Sequence, residues 1–159
     1  MDPSFLSSPL GRTGASVFRL GLSASYRPGP RTVERALDEG VNFFFAYGFD
    51  TQMTRVLREL PPSRREQCVI ATGAYNWIVW RQDLFKALEK RLRQLRTDYI
   101  DVFHFLGVMK PRQITPRVWE QLRALREDSR VRAISISCHD RRFAGQLAAD
   151  GALDCLMIR

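Results

Sequence analysis

Two periods of apolar residues alternate along this chain. Short runs in which apolar residues follow one another or alternate with polar ones, the pattern of strands, occupy residues 17–23, 41–47, 68–72, 100–106, 133–137 and 155–158. Between them the spacing is helical. Residues 31–39 carry Val33, Ala36 and Leu37 and close on Gly40, a residue suited to the left-handed turn after a helix. Residues 53–60 read as a helix that stops at Pro61-Pro62. A third helix places Leu84, Leu88, Leu92 and Leu95 on one stripe. Thr115-Pro116 is an N-cap and first-turn pair for a fourth, which turns Val118, Leu122 and Leu125 inward. Residues 141–149 form a fifth. Ahead of these units, Leu10-Gly11-Arg12-Thr13-Gly14 reads as a turn between two short extended pieces.

Strands alternating with helices predict a parallel sheet covered by helices, each unit spanning roughly 20 to 32 residues, the size of a βα unit. Two closures compete, a doubly wound open sheet and a (β/α)8 barrel of the TIM type. A dinucleotide-binding open sheet calls for a GxGxxG turn after its first strand, where this chain has Gly21-Leu22-Ser23-Ala24-Ser25. The pattern therefore favours the barrel. A full barrel takes about 250 residues, and 159 supply five βα units, the sixth strand and an N-terminal β-hairpin. The expectation is one α/β domain over residues 1–159, an incomplete TIM-type barrel. Its first and last strands would have open edges, which predicts self-association.

Composition narrows the picture further. With 45% hydrophobic residues the chain is too apolar to be disordered. No stretch approaches the roughly 18 apolar residues of a membrane span, and Met1-Asp2-Pro3-Ser4 lacks the plan of a secretory signal. A soluble, cytoplasmic protein without a membrane partner is expected. Cys68, Cys138 and Cys155 are odd in number and far apart, so neither a disulfide framework nor a metal site is indicated. Lys and Arg number 25 against 17 Asp and Glu, a net charge of +8. The excess is arginine, scattered over helical stretches as in Arg91, Arg93, Arg96, Arg123, Arg126 and Arg130, which reads as solvated helix surface. No recognition helix or aromatic-interleaved basic run accompanies it, so no nucleic-acid partner is expected.

Several segments, in order, resemble the aldo-keto reductases, barrel oxidoreductases that use NADP. Leu10 to Gly14 followed by Val17-Phe18-Arg19-Leu20-Gly21-Leu22 is similar to the hairpin and first strand of that family. Ala36-Leu37-Asp38-Glu39-Gly40-Val41-Asn42-Phe43-Phe44 resembles its first helix and second strand, and Val69-Ile70-Ala71-Thr72 its third. Thr97-Asp98-Tyr99-Ile100-Asp101-Val102 resembles the fourth strand, Ser135-Ile136-Ser137 the end of the fifth, and residues 154–159 the sixth. The resemblance implies NADPH-dependent reduction of a small carbonyl substrate. A tyrosine donates the proton, assisted by a lysine that pairs with an aspartate, while a histidine orients the substrate oxygen. A phenol near pKa 10 needs a neighbouring cation to serve as an acid at neutral pH.

Three of those four positions have changed. Phe45 stands at the aspartate position, Gly73 at the lysine position and Leu106 at the histidine position. His104 lies on the same strand face as Leu106 but about 6.6 Å deeper. For the tyrosine, the pair Tyr47-Gly48 resembles the family's Tyr-Gly, whereas a one-residue deletion would place Phe49 there instead. By the same resemblance Ser137 would meet the nicotinamide carboxamide, with Cys138 in the place of an asparagine and Met157 in that of a glutamine. Two readings follow: an oxidoreductase domain that is inactive or impaired in this form, or a non-catalytic module that binds a ligand or partner.

Overall fold

The computed structural model describes residues 3–47, 51–76 and 83–158, with the side chains of Pro3 and Ser4 left aside. A short helix α1 (Pro3–Leu6) leads into an antiparallel hairpin, β1 (Ser7–Pro9) and β2 (Ser16–Phe18). Then come β3 (Leu22–Ser23), α2 (Pro30–Asp38), β4 (Phe43–Phe45), α3 (Thr51–Arg58), α4 (Pro62–Arg65) and β5 (Val69–Tyr75). The rest is α5 (Leu84–Leu95), β6 (Val102–Val108), α6 (Pro116–Arg126), β7 (Ile134–Cys138), α7 (Arg141–Asp150) and β8 (Cys155–Ile158). Strands β3 to β8 form one six-stranded sheet in chain order, parallel throughout. The sheet curls into an incomplete (β/α)8 barrel, the closure favoured by the missing GxGxxG turn.

Period-2 alternation sorts the strand residues onto two faces. Phe44, Ile70, Phe103, Phe105, Ile134 and Ile136 point outward into the larger core, where the helices contribute Val33, Met53, Leu57, Leu88, Leu122, Leu125 and Leu147. Val69, Ala71, Val102 and Ala133 point inward and meet Val17 of the hairpin, with Leu10, Ala15, Phe43, Phe45 and Cys155 around them. The hairpin is thus a plug in the bottom of the curl. Asn42, just before β4, accepts from Phe18 N at 2.7 Å and donates to Ser16 O at 3.0 Å. At the other end of the sheet, Arg12 N donates to Asp154 O at 2.7 Å and the Arg12 guanidinium to Leu153 O at 2.5 Å and to Gly151 O. One turn therefore links the first strands to the last.

Acidic residues before the strands tie neighbours together. Asp154 accepts from Ile134 N at 2.9 Å and from Arg126 at 2.6 Å. Asp101, 5% exposed, accepts from Ile70 N at 3.0 Å and pairs with Arg65 at 2.8 Å and Arg132 at 3.0 Å. Both guanidiniums lie over the Tyr99 ring, 4.1 and 3.8 Å from its centroid.

Several expectations shift in detail. The single strand expected over 17–23 divides into β2 and β3, because Gly21 packs against Phe43, whose ring atom a Cβ there would meet at 2.7 Å, and Leu20 swings into solvent. Pro61-Pro62 does not only end a helix; Pro61 is the N-cap of α4 and Pro62 its first residue, where the missing N–H costs nothing. Thr115 does cap α6, accepting from Val118 N at 3.3 Å. The arginines are not all solvated surface. Arg91 is half-buried, its Nε donating to Gly73 O at 3.0 Å and its Nη1 to Gln94 Oε1 at 2.8 Å.

Candidate functional site

The inward residues near the C-terminal ends of the strands line a mouth that opens between the two edges of the sheet. Its main cleft, 620 Å³, runs from Leu22, Ser23, Phe43 and Phe45 on one edge to Ser137, His139, Met157 and Ile158 on the other. A smaller recess of 130 Å³ continues it past Tyr47, Tyr75, Leu106 and Gly107. The floor is aromatic. Phe45 stacks on Tyr47 with centroids 5.9 Å apart and planes within 7°, and Tyr47 meets Tyr75 at 5.8 Å. Tyr75 lies over Gly107, where φ is +78° and a Cβ would sit 2.7 Å from the ring. This glycine serves both the left-handed turn and the close approach. It also marks the point where the β6–β7 register shifts, between Phe105 and Val108.

The structure brings Phe45, Tyr47, Leu106, Ser137 and Met157 into this one mouth. Phe49 lies outside the described residues, as does Gly48 of the Tyr-Gly pair. Cys138 does not reach the mouth. It is wholly buried in the outer core, its thiol donates to Asp140 O at 3.2 Å, and burial pushes its pKa up. His104 is 3% exposed, meets the edge of Phe45 at 5.7 Å and lines neither part of the cleft. Both ring nitrogens lack a partner among the described residues, and burial lowers its pKa to about 4. It is a neutral imidazole inside the curl, one layer below Leu106.

Gly73 carries the clearest constraint. It is paired in register with His104, and a Cβ built on it would lie 1.9 Å from His104 O and 2.8 Å from His104 N. No side chain fits there without moving the strand. Of the three residues expected to face a nicotinamide carboxamide, Ser137 and Met157 line the mouth, whereas Cys138 is withdrawn from it. Among the described residues, no group of three or more His, Cys, Asp or Glu could hold a metal ion, and no helix is long and apolar enough to cross a membrane.

No protein-family profile matches the chain. Solved structures do. A Pseudomonas aeruginosa protein designated an aldo-keto reductase superimposes with a TM-score of 0.75 at 22% identity, over 96% of this chain and 67% of its own. For an aldo-keto reductase from Bacillus halodurans in its holo form the values are 0.70, 18%, 96% and 65%. For one from Klebsiella pneumoniae in complex with NADP and acetate they are 0.65, 21%, 83% and 50%. The fold is that of the aldo-keto reductases, and this chain spans half to two thirds of the length of these proteins.

Proposed function

We propose that residues 1–159 are an aldo-keto reductase-like oxidoreductase domain whose carbonyl-reducing chemistry is impaired in this form. The observation that carries the reading is Gly73: the position where the resemblance calls for a cation beside the acid is closed by the His104 backbone. Phe45 and Leu106 remove the other polar groups from the same mouth. Without a lysine and an aspartate behind it, a tyrosine in this aromatic floor lacks the family's means of donating a proton at neutral pH. NADP is the cofactor class that the resemblance and the NADP-bound Klebsiella neighbour suggest, with a small carbonyl compound as substrate. The test is direct. Following aldehyde-dependent NADPH oxidation should give no turnover above background; turnover that Tyr47→Phe abolishes would refute the reading.

A second reading, a non-catalytic module that binds a ligand or partner, is favoured by one feature. The 620 Å³ cleft persists with Phe43, Phe45, Met157 and Ile158 along it after the polar positions have changed. A saturable response to an uncharged aromatic ligand, with no turnover, would support it.

A further inference from the structure

On the outer side of the sheet, residues of α3, α5 and β5 line a second pocket of 270 Å³, which meets the barrel mouth at Tyr47. Arg58, Arg91 and Arg93 line it, together with Thr54, Thr72 and Tyr47, and no carboxylate does so among the described residues. Arg58 and Arg93 are tied to acids outside the pocket, Glu59 at 3.1 Å and Glu89 at 3.8 Å, and both remain open enough to turn. Arg91 is different. Its hydrogen-bond acceptors, Gly73 O and Gln94 Oε1, are both neutral, so a half-buried guanidinium stands without a counter-charge among the described residues.

A buried charge held only by neutral acceptors is costly unless an anion joins it. Burial alone pushes the Arg91 pKa down, and proximity to Tyr47 partly opposes this. A second group points the same way. Thr72 is wholly buried, lines this pocket, and its Oγ1 has no hydrogen-bond partner among the described residues. A buried hydroxyl and a guanidinium with only neutral acceptors, lining one pocket, are donors that suit an oxyanion.

We infer that this pocket binds a phosphate group, as inorganic phosphate or as the phosphate of a small monoester. Three guanidiniums and a buried hydroxyl present more donors than the two oxygens of a carboxylate can accept, whereas a phosphate dianion offers three strong acceptor oxygens or more and matches the charge. The volume of 270 Å³ admits the phosphate and a short organic group.

The experiment is calorimetric titration of the whole chain with inorganic phosphate at fixed ionic strength in sodium chloride, with acetate as the competing anion class. Phosphate should bind saturably, and acetate at least about tenfold more weakly, the loss of one charge-assisted hydrogen bond. Arg91→Gln should weaken phosphate by about tenfold or more and Thr72→Val by severalfold, while Arg142→Gln on α7 changes nothing. If Arg91→Gln does not fold, the double variant Arg58→Gln/Arg93→Gln at the rim takes its place. Absence of saturable binding, equal affinity for acetate, an unchanged affinity in Arg91→Gln or the rim double variant, or an equal loss in Arg142→Gln would each overturn the assignment.

Discussion

Replacing Asp101 by alanine should be among the most damaging single changes in the chain. Its carboxylate neutralises Arg65, whose side chain is 10% exposed, and accepts the Ile70 amide in the interior of the sheet. Arg132, at 52% exposure, can turn to water when the carboxylate is removed, so its pair contributes little. Arg65 cannot turn. It is held by Cys68 O at 3.0 Å and Tyr99 O at 3.2 Å and lies on the Tyr99 ring. Leaving a buried guanidinium uncompensated costs about 3–5 kcal/mol, and the orphaned Ile70 N–H about 1–3 kcal/mol. The two overlap, and about 4 kcal/mol is a reasonable sum against a total stability of about 5–15 kcal/mol. Asp101→Asn keeps an acceptor for Ile70 N–H and should lose roughly half as much. Urea unfolding at pH 7, followed by far-ultraviolet circular dichroism, measures both through the midpoint and slope. An alanine variant within about 1 kcal/mol of the parent at unchanged slope would refute the claim that Asp101 holds the bottom of the sheet.

Three further outcomes are expected. His104 has a folded pKa of about 4 against about 6.5 unfolded, so between those values the unfolded chain binds the extra proton. Its stability contribution is complete above pH 6.5 or so and falls as the pH drops towards about 4, by about 3 kcal/mol; His104→Leu should flatten this slope in paired urea titrations at pH 7.5 and 4.5, and equal slopes would count against it. Gly73→Ala should cost about 2–3 kcal/mol by overpacking against His104 O, and Gly73→Lys should restore no activity; an unchanged urea midpoint for Gly73→Ala would show that the strand yields. Finally, the outer edges of β3 and β8 have no paired strand among the described residues, so sedimentation velocity should show concentration-dependent association, and a monomer at every concentration would contradict this.

The order of strands and helices was legible because the two periods differ so clearly. Val33, Leu88 and Leu122 are wholly buried, and the Thr115 cap closes its helix as its residue type requires. That Phe45 and Leu106 share one mouth with Tyr47 follows from the places given them by counting from recognisable segments. What escaped the sequence were relations across strands. That Gly73 touches the His104 backbone depends on a register between segments 31 residues apart. Arg91 carries the same letter as its solvated neighbours, and nothing local distinguishes it; its burial follows from where α5 crosses β5. Cys138 shows the limit of position matching, because adjacency to Ser137 along a strand sends the two side chains to opposite faces.

These relations also bear on whether activity could be rebuilt. Phe45 touches both His104 and Tyr47, so its ring is part of the packing and not a neutral filler at a vacated site. An aspartate placed at position 45 would meet the His104 imidazole and the Tyr47 phenol, with no cation at position 73 to pair with. Buried without that partner, it would cost stability and take up a proton rather than polarise its neighbour. A histidine at position 106 would face the same aromatic floor, next to the Tyr75–Gly107 contact that sets the end of β6. The three positions are therefore coupled, and Gly73 decides the set. Only a variant that first opens the β5–β6 register at Gly73 and His104 could accept the lysine that would make the other two substitutions useful.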